Sequence, residues 1–198
     1  MRWRPKRPAR TPDVLYRVFP LLPGAAPTEP GGALFVPRLL QGLGRHDGPD
    51  RYGALYASTV PGSAAAERIQ AFRGRVLRDD HLRRPDGSRL ALVRIDDGGL
   101  DGSIDLDEPR ELARRRLRPS RVATGDRTVT QRLAIDLFEE GVPGFAWWST
   151  IEASWSNVTL FAERAVPSLR VDGDPEPLTL HSPSVREAAD AVGIRLAG

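Results

Sequence analysis

Short apolar runs, each ended by proline, glycine or a charged stretch, limit what this chain can fold into. Val14 to Phe19, Leu34 to Val36, Gly53 to Ser58, Leu90 to Ile95, Phe145 to Trp148 and Val158 to Ala162 all have strand length. The breaks between them are Pro20, the Pro- and Gly-rich loops over 22–32 and 41–52, and an acidic, Gly-rich stretch over 96–108. Helical periodicity is clearest over 126–140, where Val129, Leu133, Ala134, Leu137 and Phe138 share a face before Gly141. An Ala-rich helix over 62–72 follows Thr59 and Pro61, and a charged helix is expected over 109–117. A last helix is expected from Ser184, with Glu187 closing a capping box. Strands outnumber helices and mix with them irregularly, which predicts an α+β domain rather than a doubly wound one.

The chain has 198 residues, no internal repeat and no long linker, so one domain is expected over 14–198. Hydrophobic residues make up 40%, enough for a real core. Cysteine is absent, which excludes disulfides, thiolate metal sites and a thiol nucleophile. The net charge is +3, and Lys6 is the one lysine, so nearly every cation is a guanidinium. Arg2, Arg4, Lys6, Arg7 and Arg10 lie among Pro5, Pro8 and Pro12, which predicts an extended basic arm over 1–13. Such an arm is either a solvated tail or a nucleic-acid contact. No run approaches membrane-span length and no secretion signal is evident, so a cytoplasmic protein is expected.

Several chemistries lack their signatures: there is no phosphate-binding loop, no dinucleotide fingerprint and no serine nucleophile elbow. His46, His81 and His181 have no partner at zinc-ligand spacing. Asp97, Asp101, Gly102, Ile104 and Glu108 fit positions of a calcium loop, but Gly99 stands where a third oxygen ligand belongs. That stretch reads better as a solvated turn, and no metal is expected.

Four segments remain that can carry chemistry. They are Leu15-Tyr16-Arg17-Val18, Gly44-Arg45-His46-Asp47, and Ala54-Leu55-Tyr56-Ala57-Ser58 followed by Ala64-Ala65-Ala66-Glu67. The fourth is Thr130-Gln131, then Gly144-Phe145-Ala146-Trp147-Trp148-Ser149, then Asn157-Val158-Thr159-Leu160-Phe161. In this order, over roughly residues 14–165, they resemble the RES-domain family. The resemblance implies a fold like that of the diphtheria-toxin type of ADP-ribosyltransferase, with mixed central sheets and flanking helices. It implies a bacterial toxin that cleaves NAD by hydrolysis or phosphorolysis, or transfers ADP-ribose to a protein. It also implies an antitoxin partner of the Xre helix-turn-helix type, through which any contact with nucleic acid would run. The matching positions are Arg17, Arg45, Tyr56, Glu67 and Ser149. The family commonly has an aromatic residue where this chain has His46, and often Arg where it has Thr150.

The residue types suit that chemistry. Breaking the nicotinamide–ribose bond leaves an oxocarbenium-like sugar, which a carboxylate from Glu67 would stabilise. Arg17 and Arg45 suit the pyrophosphate through paired hydrogen bonds. Tyr56, with Tyr52 as a weaker candidate, offers a stacking ring, and Ser149 a hydroxyl for the nicotinamide amide or the ribose. Trp147, Trp148 and Trp155 are candidates for a pocket wall, and His46 for a proton shuttle. Each has a plainer alternative: Arg17 turned to solvent, Arg45 an ordinary loop residue, Tyr56 core packing, Ser149 a strand-end cap, Glu67 a surface residue of its helix. A module that binds nucleotides or nucleic acid without catalysis also remains open.

Overall fold

The computed structural model describes residues 14–98 and 100–198, so the basic arm lies outside the described residues. In chain order the elements are β1 (Val14–Leu21), β2 (Ala54–Ser58), α1 (Pro61–Ile69), β3 (Val76–Leu77), β4 (Arg89–Asp96), β5 (Ile104–Asp105), α2 (Pro109–Arg115), α3 (Pro119–Val122), α4 (Arg127–Glu139), β6 (Gly144–Trp148), β7 (Ser156–Phe161), α5 (Ala162–Ala165), β8 (Arg170–Pro177), α6 (Pro183–Val192) and β9 (Arg195–Leu196). The seven-stranded sheet runs β5-β6-β7-β2-β1-β4-β8, antiparallel except for β5 beside β6. A small parallel pair joins β3 to β9. This is a mixed α+β domain with one large sheet and flanking helices.

Strand alternation gives the sheet two faces. Leu15, Phe19, Leu55, Ala57, Val93, Val158 and Leu160 pack on one face, under the 22–37 loop and the segment after β7. Val18 belongs to the other face, where the small residues of α1 meet Val185, Ala188 and Ala189 of α6. Those helices approach closely because Gly62 has no side chain: a Cβ there would stand 2.4 Å from the Glu187 carboxylate. Farther along the same face α4 buries Leu133, Ala134 and Leu137 against Phe145, Trp147 and Phe161. Asp126 caps α4 by accepting the Thr128 N–H at 2.9 Å.

Four expectations change. β1 runs through Pro20 to Leu21, because beyond Tyr16 only β4 pairs with it and a missing N–H is tolerated on the open side. Residues 34–36 form no strand: Leu34 donates to the Pro27 carbonyl, while the Ala33 and Phe35 carbonyls accept from Arg17. The last helix starts at Pro183, with Ser182 rather than Ser184 at its cap and no side-chain capping bond. Ser182 Oγ instead accepts from the Thr179 N–H at 3.0 Å, and Glu187 lies against Gly62. β7 starts at Ser156, two residues before the apolar run, and Ala162 opens α5. No helix among the described residues is long and apolar enough to cross a membrane.

A candidate active site at the parting of two strands

β1 and β2 share a single paired position, Tyr16 opposite Ser58. A cleft of about 290 Å³ opens there, walled by β1, β2, α1, the glycine loop before Tyr52 and the start of α4. Arg17, Arg45, Tyr56 and Glu67 all line it. Ser149 does not. Ser149 is buried at the end of β6, its N–H donates to the Trp155 carbonyl at 2.8 Å and its Oγ accepts from Ile151 N–H at 3.1 Å. That is the strand-end cap. Thr150, one residue on, lines the cleft.

Glu67 sits at the C-terminal turn of α1, turned inward beside the buried Ala64–Ala66 run. Its Oε1 accepts from Asn157 Nδ2 at 3.1 Å and its Oε2 from Gln70 Nε2 at 2.8 Å. Desolvation raises its pKa above the ordinary value of 4.5, against the pull of Arg45, of those two hydrogen bonds and of Arg127. A half-buried carboxylate is held under a positive field.

Arg45 is positioned by a loop built for it. Asp47 accepts from the Gly42 and Gly44 N–H groups at 2.7 Å each, and a Cβ on Gly44 would stand 2.4 Å from that carboxylate. From α4, Thr130 Oγ1 donates to the Arg45 carbonyl and Gln131 Nε2 to the Gly42 and Gly44 carbonyls at 3.0 and 2.9 Å. The Arg45 side chain lies 5.1 Å over the Trp147 ring and donates to the Thr124 carbonyl at 2.6 Å. Burial lowers its pKa from 12.5, with the Arg127 charge adding to the effect.

Arg17 reaches the cleft differently from expectation. Alternation puts it with Leu15 and Phe19, and its guanidinium donates to the Ala33 carbonyl and, at 2.9 Å, to the Phe35 carbonyl. It is neither solvent-facing nor free: burial, with Arg68 nearby, pushes its pKa down to about 9, so it stays a cation at neutral pH. Arg17 lines the cleft, but its guanidinium is buried on the Leu15 and Phe19 face, where two of its N–H groups hold the 33–35 segment.

Tyr56 presents its ring to the cleft, but its hydroxyl is engaged. It accepts from the His46 backbone N–H at 2.9 Å and donates to Asp47 at 2.7 Å, and burial raises its pKa. Tyr52 is fully buried and donates to the His46 carbonyl at 2.8 Å, so it belongs to the loop's support. His46 does not line the cleft and offers no proton shuttle there. Its ring is buried against the edges of Phe145 and Trp147, with centroids 4.8 and 5.0 Å away, and Nδ1 meets Thr159 Oγ1 at 2.8 Å. Burial and the cations Arg45 and Arg127 hold its pKa well below 6.5. The neutral ring packs as an aromatic residue would, so the loop keeps its shape with histidine there. Trp147 lines the cleft; Trp155 packs in the core between α1 and α6.

Sequence reasoning missed Arg127, Arg68, Gln70 and Asn157, all of which line the cleft. Asn157 carried a signal, being an amide among apolar strand residues. Arg127, at the first position of α4, lines the cleft, and its guanidinium makes no hydrogen bond or ion pair among the described residues, which leaves it available to a ligand. The lining thus holds Arg17, Arg45, Arg68 and Arg127 against one carboxylate among the described residues, Glu67. The arrangement suits a ligand with concentrated negative charge and one developing positive centre.

Comparison with known proteins agrees on the fold. The protein is similar to a chain of the M. tuberculosis MbcT–MbcA toxin–antitoxin complex, with a TM-score of 0.59 and 16% identity over 93% of this chain and 90% of that one. At that identity the likeness shows a shared fold. No curated protein matches the sequence significantly. The model of the RES domain matches residues 13–181. A match over that span makes the chain a member of the RES-domain family.

Proposed function

We propose that this chain cleaves NAD at the nicotinamide–ribose bond and serves as the toxin of a toxin–antitoxin pair, on a fold akin to the ADP-ribosyltransferases. The observation that carries the reading is the pairing, in one cleft, of the Glu67 carboxylate with the cationic side chains of Arg45 and Arg127. The arginines would grip the diphosphate, Arg127 with a guanidinium unbonded among the described residues and Arg45 with the N–H groups its two carbonyl contacts leave. Arg17, its guanidinium tied to the Ala33 and Phe35 carbonyls, supports the wall of the cleft rather than gripping the diphosphate. The Tyr56 ring, its hydroxyl tied to Asp47, offers a face for stacking, and Thr150 rather than Ser149 offers a hydroxyl.

As the C1′–N bond breaks, its electron pair leaves with nicotinamide, which becomes neutral. The positive charge left on the ribose is the charge that Glu67 stabilises, more strongly in the transition state than in the bound substrate. Water or phosphate then adds at C1′ and releases its proton to solvent. No strong acid is required, which fits a site without a titrating histidine.

An enzyme that drains NAD needs a partner to restrain it, and the family resemblance implies an Xre-type antitoxin. The similar M. tuberculosis chain comes from a toxin–antitoxin complex. Leu39, Leu40 and Leu43 are 94%, 86% and 91% exposed in the segment that leads into Gly44 of the cleft wall, an apolar foothold for such a protein. Action in the cytoplasm, where NAD is held, follows from this reading.

The test is product analysis with purified full-length protein. Nicotinamide should appear with ADP-ribose in plain buffer or with ADP-ribose 1″-phosphate when phosphate is added. Label from NAD that stays on protein would select ADP-ribose transfer instead. Absence of nicotinamide under all conditions would reject the reading.

A further inference from the structure

The geometry points to Asn157 as the positioning residue that holds the Glu67 carboxylate toward the cleft, with Ser58 and Ser63 setting the direction of its amide. The proposal rests on the reading of Glu67 as the charge-stabilising group. Asn157 lies in β7, directly opposite Ser58 of β2 and Trp147 of β6, and on the face that carries Tyr56 and Thr159. It is 1% exposed. Its Oδ1 accepts from Ser58 Oγ at 2.6 Å and from Ser63 Oγ at 2.7 Å, both hydroxyls being buried. With both lone pairs of the amide oxygen engaged, Nδ2 has one direction left, and there it meets Glu67 Oε1 at 3.1 Å. The reverse orientation would set the amide oxygen against a carboxylate.

This cluster is expensive to keep for packing alone. Three buried polar side chains sit where β2, β7 and α1 meet, and apolar residues of similar size would fill that space without desolvation cost. What the amide adds is a fixed N–H donor to one carboxylate oxygen. Gln70 binds the other oxygen from the same helical segment as Glu67, so Asn157 is the contact that ties the carboxylate to the sheet. The other groups around Glu67 are Arg68 on its own helix, Arg45 on the glycine loop, Arg127 on α4 and the Tyr56 ring on β2. The arginines pull the carboxylate by charge, with little directionality; Asn157 supplies the direction. Its bond also favours the ionised form, and losing it would leave desolvation less opposed.

The experiment uses Asn157→Ala in the full chain. The Glu67 side-chain ¹³C resonance, assigned by its disappearance in Glu67→Gln, is titrated without substrate, and kcat and KM for NAD are measured across pH. Expected are an upward move of the Glu67 midpoint, a matching move of the acid limb of kcat, and a fall in kcat of roughly 10- to 100-fold with KM nearly unchanged. If Asn157→Ala does not fold, Ser63→Ala, which removes one of the two orienting hydroxyls, should give a smaller change of the same sign. A folded variant with an unmoved midpoint and unchanged kcat overturns the proposal, whatever its melting temperature. Because the titration needs no NAD, a moved midpoint in a protein that releases no nicotinamide would sink the enzymatic reading and leave the positioning role standing.

Discussion

Glu67, in its proposed role, sets stability against function. Its pKa is raised in the folded protein, chiefly by desolvation, so its contribution to stability is fully present below the unfolded value and is lost as pH rises through the folded value. On the proposed reading activity needs the carboxylate, so it should rise over the same window. Glu67→Gln should therefore melt higher than wild type at neutral pH, with the gap closing in acid; equal melting temperatures across pH would contradict the desolvation argument. Arg127 makes a different test. Its guanidinium makes no hydrogen bond or ion pair among the described residues, so Arg127→Ala should change the melting temperature little and weaken ADP-ribose binding about 10- to 100-fold, as expected for a lost charge-assisted hydrogen bond. Calorimetric titration of ADP-ribose into the variant checks both the size and the direction. The motif residues Arg45, Tyr56 and Glu67 were legible in the sequence because their segments carry a family pattern. Arg17 was legible as a position but not as a role: a strand residue has two faces to choose from, and its partners are carbonyls in a loop whose path no periodicity reveals. Ser149 and Thr150 are one residue apart, and at a strand end a single step reverses which side chain meets the cleft.

Among the elements, the glycine loop and α4 behave as one unit. Asp47 gathers the loop from within, and Thr130 and Gln131 hold it from the helix. Gly44→Ala would push a methyl group into the Asp47 carboxylate, at a cost of about 1–3 kcal/mol typical of overpacking. The expected result is a lower melting temperature and a loss of activity greater than that from Gln131→Ala, which removes two hydrogen bonds but adds no clash; thermal melts and rate assays on the pair decide. α4 was readable because it buries one periodic face, and β1 and β2 because both their faces are covered and they read as short apolar runs. β8 was not: its residues Arg170–Pro177 form an exposed edge strand of mostly polar residues, and it exists because β4 offers a ladder there. The β3–β9 pair is two residues long on each side and leaves no pattern to detect. The capping box expected around Ser184 failed for a tertiary reason, since Glu187 was already claimed by the close approach of α1.

At the scale of the whole molecule, one sheet carries two separate demands. One face and the α1–α6 layer hold the domain together; the break in pairing between β1 and β2 opens the cleft proposed to take a ligand. A ligand bound there bridges elements from both sides, so ADP-ribose at one hundred times its dissociation constant should stabilise the fold by about 2.7 kcal/mol, read as a rise in melting temperature. The exposed leucines lie outside this ledger. Leu39→Asp with Leu40→Asp should leave nicotinamide release intact and weaken capture of the antitoxin in a pull-down; loss of catalysis in that double variant would instead place the segment in the site. The proposed chemistry stands on a carboxylate under a sugar. Its most direct test is the rate of nicotinamide release from NAD at neutral pH by wild type and by Glu67→Gln, both shown to be folded. The account expects release by the wild type and a loss of at least about 100-fold in the variant, the scale of a removed electrostatic stabiliser. Equal rates in the two proteins would contradict it.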